Sequence, residues 1–463
     1  MQLRQLGLAF ALGFGVPGGS CAESAKADPA AWIAVPGASA ELVPEPVFGG
    51  KVMLYRAGRR EGPAVVLVHG LGQNGAREWG KLIPALAGRY DVYALDLPGF
   101  GQSGKGNHLY SPANFARVIE AVVEVRVARS FALVGHSMGG AVSLAYAAAN
   151  PNRIDRLVLV DMAGVLHRSV YTEFLGRARA QAATGIDLDD APWITSFLRT
   201  VLANAETYPP VGERLMSIAS VRQQLLRGDP NAIAAYTLVG HDFSQALHSV
   251  TAPTLLVWGS DDKVAPLRTG QMAAATIPNA RLTIIRGAGH TPMLQTPQQF
   301  NAIVLAELEG KLQERPYALQ KAAIAGARIG LCKGQRERHF IGDYKEIRLD
   351  NCPDARITQT RVGRLIARDS TVRIVNSHID SGIDAKGSHL ELTAGVMSGN
   401  PPLVLDASDV DAAGTRFESD EAVAANRGAS EITLNLSVTE LSRRGAAPRY
   451  VHGVISVAPH ELW

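Results

Sequence analysis

The stretch that most constrains the fold is residues 130–140, where a short apolar segment runs into Gly-His-Ser-Met-Gly at residues 135–139. Residues 131–134 are typical of a buried strand, and residues 141–149 are mostly small residues that favour a helix packed closely on that strand. The flanking glycines permit the sharp turn that joins the two elements. We therefore expect Ser137 to project from a strained turn at the start of a helix, where free backbone N–H groups favour negative charge.

Other apolar segments, separated by lengths suited to helices, predict further strands. They cover residues 63–68, 91–95, 156–160, 254–258 and 281–285, and residues 41–56 read as two more strands around Gly49-Gly50. Continuous apolar strands of this kind are typical of a parallel sheet covered on both faces. Ligands bind beyond the carboxyl ends of such strands, so the loops carrying His69, Ser137 and Asp262 are expected at one edge.

Five motifs in the same order resemble the α/β-hydrolase family. They are HGLG at residues 69–72, DLPGFG at 96–101, GHSMG at 135–139, GSDDKVAP at 259–266 and GAGH at 287–290. The resemblance covers about residues 41–316 and implies an α/β fold: a doubly wound, mostly parallel sheet with a helical cap. It says little about the substrate.

The resemblance also implies a role for each motif residue. Ser137 would be the nucleophile, Asp262 the triad acid and His290 the base, in the chain order that the family uses. Asp261 is the alternative acid, and we interpret it as a solvated loop residue. The backbone N–H groups of Leu71 and Met138 would hold an oxyanion.

These roles predict a serine hydrolase that cleaves carboxylic esters through an acyl-enzyme intermediate, with no cofactor and no metal. A small-molecule or lipid ester is the expected substrate, and thioesters and amides remain open. A serine at position 137 argues against epoxide hydrolase or dehalogenase chemistry, for which family members use an aspartate there. Two alternatives stay open: an acyltransferase with the same triad, and a non-catalytic glycan-binding protein on a hydrolase scaffold.

Between the predicted strands at residues 156–160 and 254–258 lies an insertion with helical patterns, at about residues 163–249. In the family this position carries a cap over the active site. Its aromatic residues either line an acyl pocket or pack the core of the cap; they are Trp193, Phe197, Tyr208, Tyr236 and Phe243.

The chain changes character after Pro316, where short alternating runs and turn residues replace helical patterns. Four runs begin at Ser370, Ser388, Ser408 and Ser430, at intervals close to 20 residues, and each has another short strand before it. A repeat of this length with several strands is typical of a solenoid, and it resembles a right-handed parallel β-helix of the pectate-lyase-like kind. We expect such a domain over residues 317–463, with a structural or glycan-binding role; an antiparallel sandwich is the alternative.

The first residues are read as a secretory signal over residues 1–21, followed by a linker over residues 22–40. Cys21 after small residues resembles a bacterial lipobox, whose cysteine is lipidated, although Gly18 stands where that pattern prefers Leu; ordinary cleavage is the alternative. This predicts an exported protein, periplasmic or anchored in the outer membrane, that meets the membrane only through Cys21. Cys332 and Cys352 would then either pair or remain free thiols.

A net charge of +3 gives no reason to expect nucleic-acid binding.

Overall fold

The computed structural model describes residues 28–167, 213–312 and 328–463. The predicted signal and the cap predictions at Trp193, Phe197 and Tyr208 lie outside these residues. Within them, no helix is both long and apolar enough to cross a membrane.

The first half of the chain folds around an eight-stranded sheet with the order β1-β2-β4-β3-β5-β6-β7-β8. Its strands are β1 (Ser39–Glu45), β2 (Gly50–Gly58), β3 (Ala64–Val68), β4 (Asp91–Asp96), β5 (Phe131–His136), β6 (Ile154–Val160), β7 (Thr254–Gly259) and β8 (Arg281–Ile285). The strands from β3 to β8 pair in parallel, and β1 and β2 form an antiparallel edge. The predicted α/β class and all of the predicted strands are confirmed.

The central strands are apolar at every position because successive side chains enter two different hydrophobic cores. In β3, Val66 and Val68 face one hydrophobic core, and Val65 and Leu67 face the other. All five residues of this strand are buried. Successive side chains of a strand point to opposite faces, so a sheet covered on both faces needs apolar residues at every position.

Helices cover both faces of this sheet. The described helices are α1 (Ile83–Ala87), α2 (Pro112–Arg126), α3 (Met138–Ala149), α4 (Glu213–Met216), α5 (Ala219–Leu226), α6 (Pro230–Val239), α7 (Ser244–Ser249), α8 (Leu267–Thr276), α9 (Pro292–Gln295) and α10 (Pro297–Leu308). Residues 213–226 and 230–249 of the predicted insertion each form two helices, α4 with α5 and α6 with α7. In the second case Gly240 ends α6, and the Asp242 carboxylate accepts a hydrogen bond from Ser244 N–H before α7.

Residues 22–40, predicted as a linker, contribute ordered contacts in their second half. Ala30 and Ile33 are buried in the same core as Trp79, and the Trp32 ring packs edge-on against Tyr55 at 5.1 Å between centroids. This segment therefore packs on the face of the sheet that carries Val65 and Leu67.

The carboxy-terminal part is a parallel β-helix, as predicted, and the sandwich alternative is wrong. Its strands are β9 (Ile329–Lys333), β10 (Arg338–Asp350), β11 (Ala355–Arg368), β12 (Thr371–Val375), β13 (His378–Ile379), β14 (Ile383–Lys386), β15 (His389–Thr393), β16 (Val396–Ser398), β17 (Leu403–Asp406), β18 (Asp409–Ala413), β19 (Arg416–Glu418), β20 (Ala424–Asn426), β21 (Ile432–Ser442) and β22 (Arg449–Val457). Strands three apart in the chain pair in parallel, for example β12 with β15 and β15 with β18, so each coil adds one strand to each of three faces. An antiparallel hairpin of β21 and β22 closes the end.

A ladder of buried serines holds the coils in register. Ser370 N–H donates to Ser388 Oγ at 3.1 Å, and Ser388 N–H donates to Ser408 Oγ at 3.0 Å. The same position one coil earlier is Cys352, whose N–H donates to Ser370 Oγ. Each hydroxyl satisfies a backbone N–H that would otherwise be buried without a partner, which is why serine recurs at this point of the repeat.

The cysteine pair, left open by the sequence, is bonded. Cys332 on β9 and Cys352 after β10 form a disulfide at the first coils of the β-helix.

The β-helix packs against the hydrolase part of the chain. Ala413 and Val438 of the β-helix share a core with Met272 on α8. Arg268, also on α8, reaches Asp411 on β18 with Nη1–Oδ2 and Nη2–Oδ1 distances of 2.5 and 2.9 Å. The helix that follows the loop of Asp262 is therefore seated on the β-helix.

Candidate active site

Ser137 lies on the predicted turn between β5 and α3. Its φ of 52° is in the left-handed region, which a side chain other than glycine adopts only with strain. A Cβ at Gly135 would come within 2.3 Å of Gly139 O, and a Cβ at Gly139 within 2.3 Å of His69 O. Both glycines are therefore required by close backbone approach, and the turn presents Ser137 at the carboxyl edge of the sheet.

Three side chains from distant loops form one line at this edge. His290, in the loop after β8, lies with Nε2 2.9 Å from Ser137 Oγ and with Nδ1 2.8 Å from Asp262 Oδ2. The second oxygen of Asp262 accepts hydrogen bonds from the N–H groups of Val264 and Ala265 at 2.7 and 3.0 Å. These backbone donors fix the carboxylate, which in turn orients the imidazole toward the hydroxyl.

The two neighbouring acids differ in where they point. Asp262 is buried and faces His290, whereas Asp261 is exposed and accepts a hydrogen bond from Ser260 Oγ at 2.7 Å. Only the first of the two is hydrogen bonded to the imidazole.

The predicted oxyanion donors come from the loop after β3 and from the first turn of α3. Met138 is the first residue of α3, and Leu71 follows the carboxyl end of β3. In residues 28–167, 213–312 and 328–463, no hydrogen bond occupies either backbone N–H. The cap reaches the same loop, because Gly72 N–H donates to Asn231 Oδ1 at the start of α6 at 3.0 Å.

The sequence reasoning missed a further acid, Asp161. It directly follows β6, is fully buried and accepts a hydrogen bond from Gly259 N–H at 2.9 Å. Burial raises the pKa of the Asp161 carboxyl to about 9; the Gly259 N–H opposes this rise and the nearby Asp262 carboxylate adds to it. Burial and the charge of Asp262 therefore favour the protonated form of Asp161. A polar residue at the end of a buried parallel strand was the signal that could have found it.

It also missed Glu78, on the 3₁₀ turn Gly75–Trp79. The carboxylate is buried and lies 3.2 Å from Nδ1 of His136. Nothing in the local sequence distinguishes this acid from a surface residue. The two motif histidines, His69 and His136, are both hydrogen bonded within the protein.

In the part of the chain that the structure describes, no group of three or more His, Cys, Asp and Glu side chains is arranged to hold a metal ion.

Tyr236 is exposed and Phe243 is fully buried, so of these two cap aromatics Phe243 packs in the core. The loops of the β-helix near Asn400 and Arg443 border an open polar pocket of about 330 Å³. Glycan binding by this domain stays a prediction.

Comparison with known proteins agrees with this fold. The model of the alpha/beta hydrolase fold family matches residues 63–297. The chain therefore belongs to this family, and it is an enzyme of the hydrolase type. The match ends before the β-helix begins.

Three relatives illustrate the range of the family. An uncharacterized protein of Mycobacterium tuberculosis is 30% identical over 52% of this chain and 74% of its own length. A 2-hydroxy-6-oxononadienedioate/2-hydroxy-6-oxononatrienedioate hydrolase of Cupriavidus pinatubonensis is 30% identical over 52% of this chain and 85% of its own length. A pimeloyl-[acyl-carrier protein] methyl ester esterase of Aeromonas hydrophila is 28% identical over 53% of this chain and 94% of its own length.

Proposed function

We propose that this protein is a serine hydrolase that cleaves carboxylic esters with Ser137 as nucleophile, His290 as base and Asp262 as the orienting acid. The observation that supports this best is the continuous hydrogen-bonded line from Asp262 through His290 to Ser137, with distances of 2.8 and 2.9 Å. A serine hydroxyl is a weak nucleophile until a base removes its proton, and this line provides that base.

The reaction proceeds in two stages, acylation of Ser137 and hydrolysis of the acyl-enzyme. Ser137 Oγ attacks the ester carbonyl carbon while His290 Nε2 takes the hydroxyl proton, and the carbonyl oxygen becomes an oxyanion held by the N–H groups of Leu71 and Met138. Collapse of this intermediate breaks the bond to the alcohol, which leaves with the proton from His290. Water then attacks the acyl-enzyme, again giving its proton to His290, and the acid is released as Ser137 regains its hydrogen.

We propose esters as the substrate class, and not other acyl compounds, because one relative is a methyl ester esterase by name. Ser137 is only 5% exposed. The contact between Gly72 and Asn231 joins the cap to the oxyanion loop, which supports a role of the cap in acyl selection.

An active-site fluorophosphonate probe tests this proposal. We expect it to label the intact protein and the Asp261→Asn control, and not the Ser137→Ala variant. The same preparations would be assayed on chromogenic esters of graded acyl length, with product analysis in the presence of alcohol acceptors. An intact, folded protein that is neither labelled nor active on any ester would contradict the proposal and favour the non-catalytic alternative.

We further propose that the protein is exported and attached to the cell envelope by a lipid on Cys21. The apolar run and small residues before Cys21 support this, and so does the Cys332–Cys352 disulfide, since such bonds persist in oxidising compartments. Labelling cells with a radioactive fatty acid should mark the protein in the membrane fraction, and Cys21→Ser should abolish the label. Unlabelled protein in the cytosolic fraction would contradict both parts.

A further inference from the structure

The imidazole of His136 lies directly behind that of His290. The ring centroids are 4.9 Å apart, and the His136 side chain is nearly fully buried. Its Nε2 lies 2.7 Å from the backbone carbonyl oxygen of His290, and its Nδ1 lies 3.2 Å from Oε1 of Glu78.

Both of these partners are acceptors. A backbone carbonyl oxygen has no proton to donate, and an ionised carboxylate has none either. A neutral imidazole carries one N–H and therefore satisfies only one of the two contacts. With Glu78 ionised, the two hydrogen bonds are formed together only when His136 carries a proton on each nitrogen.

His69 in the neighbouring loop provides an internal contrast. Its Nδ1 lies 2.6 Å from Gly70 O, whereas its Nε2 accepts a hydrogen bond from Leu97 N–H at 2.9 Å. One acceptor and one donor match a neutral ring. The difference between the two histidines thus lies in their partners and not in burial, because both are buried.

Glu78 connects this pair to the oxyanion loop. Its Oε1 also accepts a hydrogen bond from Gly70 N–H at 3.0 Å, one residue before Leu71. The chain of contacts therefore runs from the backbone of Gly70 through Glu78 and His136 to the backbone of His290.

We propose that Glu78 and His136 form a buried carboxylate–imidazolium pair that positions the base and the oxyanion loop for hydrolysis. This inference rests on the proposed function, since His290 and Leu71 act only in that reaction. Both members are positioning residues: in the described structure they contact His290 and Gly70 and do not reach Ser137 Oγ through a hydrogen bond.

The charges around His136 agree with this state. Burial lowers the pKa of His136, but the Glu78 carboxylate, the His290 carbonyl and the charge of Asp262 outweigh it and raise the pKa above its ordinary value. These groups face the ring from the turn Gly75–Trp79, the loop after β8 and the loop after β7.

The protonation state is measured by ¹⁵N NMR of protein labelled at histidine, with His136→Gln used to assign the signals. At pH 7.5 we expect both nitrogens of His136 to be protonated, while His69 shows one protonated and one bare nitrogen. A neutral His136 at this pH would overturn the proposal.

The positioning role is measured with Glu78→Gln, which keeps the size of the side chain. A glutamine carries no negative charge, so it does not stabilise the imidazolium and His136 becomes neutral. Because a single atom at position 78 contacts both Gly70 N–H and His136 Nδ1, one of the three hydrogen bonds from Gly70 to the His290 carbonyl is then lost. We expect kcat to fall about 10- to 100-fold with KM changed less than about threefold, because misplaced reacting groups mainly affect the transition state. The ¹⁵N signals of His136 should change to those of a neutral ring.

Glu307→Gln is the matched control. Glu307 is also fully buried and bound to Arg281, but it lies on α10, away from the site. The Glu307→Gln variant should have a lower unfolding temperature without a lower kcat of the folded enzyme.

A folded Glu78→Gln enzyme that keeps its kcat would overturn the positioning role. If this variant does not fold, the protonation state of His136 measured by NMR in the intact protein decides alone. Failure of the fluorophosphonate probe to label intact protein would instead contradict the proposed function and leave the NMR result standing.

Discussion

Arg268 on α8 offers a test of how the β-helix supports the hydrolase domain. Its guanidinium binds both carboxylate oxygens of Asp411 at 2.5 and 2.9 Å, and its Nε donates to Thr393 Oγ1 at 2.8 Å. Side-chain exposure is 11% for each member of the pair. We expect Arg268→Met to destabilise the protein, because it leaves a buried carboxylate without its counter-charge.

The size of the effect follows from burial. Removing one partner of a buried ion pair typically costs about 3–5 kcal/mol. With an unfolding entropy of about 2 cal/mol/K per residue, the midpoint should fall by about 3–5 °C if all of the chain unfolds as one unit. It should fall by about 10–17 °C if residues 328–463 unfold as a separate unit. Calorimetry distinguishes the two cases by the number of transitions.

Two further measurements make the test specific. Burial raises the pKa of Asp411 and Arg268 opposes the rise, so the variant should be less destabilised at pH 5, where the carboxyl is more readily protonated, than at pH 8. Replacing both members, as Arg268→Met with Asp411→Leu, should restore most of the lost stability. Arg364→Met, at an exposed pair with Asp384, is the control and should cost less than about 1 kcal/mol. An unchanged midpoint in Arg268→Met, or a double variant as unstable as the single one, would refute the reasoning.

Three other predictions concern the acids and the disulfide. Asp262→Asn should lower kcat/KM roughly 10³- to 10⁴-fold because it disturbs the His290 tautomer, whereas Asp261→Asn should stay near wild type; equal losses in ester hydrolysis would exclude our choice of acid. Asp161 binds its proton more tightly folded than unfolded, so between about pH 4 and pH 9 its contribution to stability falls as pH rises. Asp161→Asn should therefore show a flatter decline of unfolding free energy from pH 5 to pH 8 than wild type, by at most about 1.4 kcal/mol per pH unit, and parallel curves would contradict the raised pKa. Replacing Cys332 and Cys352 by serine should cost about 3 kcal/mol in denaturant unfolding, as expected for a loop with a separation of 20 residues, and no loss would indicate that the first coils are held by packing alone.

Much of this architecture is encoded locally, which is why the sequence could predict it. The buried strands are apolar at every position, and the turn at Ser137 needs glycine at positions 135 and 139 because backbone atoms approach them closely. The β-helix repeat could be recognised because successive coils carry a serine at the same position, Ser370, Ser388 and Ser408. The hydroxyl of Ser388 or Ser408 accepts a hydrogen bond from the backbone N–H of the serine one coil earlier. Both signals depend on residues near one another in the chain or at a fixed period.

The cap was harder to predict, since helical periodicity does not show where a helix breaks. Residues 231–247 have a continuous apolar pattern, yet the structure ends one helix at Gly240 and begins another at Ser244. The break is decided by a local hydrogen bond of Asp242 and by packing on neighbouring elements.

The sequence by itself determined the two folds, the edge of the sheet where the site lies, and the residues Ser137, Asp262 and His290 that meet there. Only the tertiary structure decided their surroundings: that burial raises the pKa of Asp161, that Glu78 faces His136, and that Arg268 binds Asp411 across 143 positions of the chain. The physical reason is that burial and counter-charges come from segments far apart in sequence. Their effect on an ionisable group therefore exists only after the chain has folded.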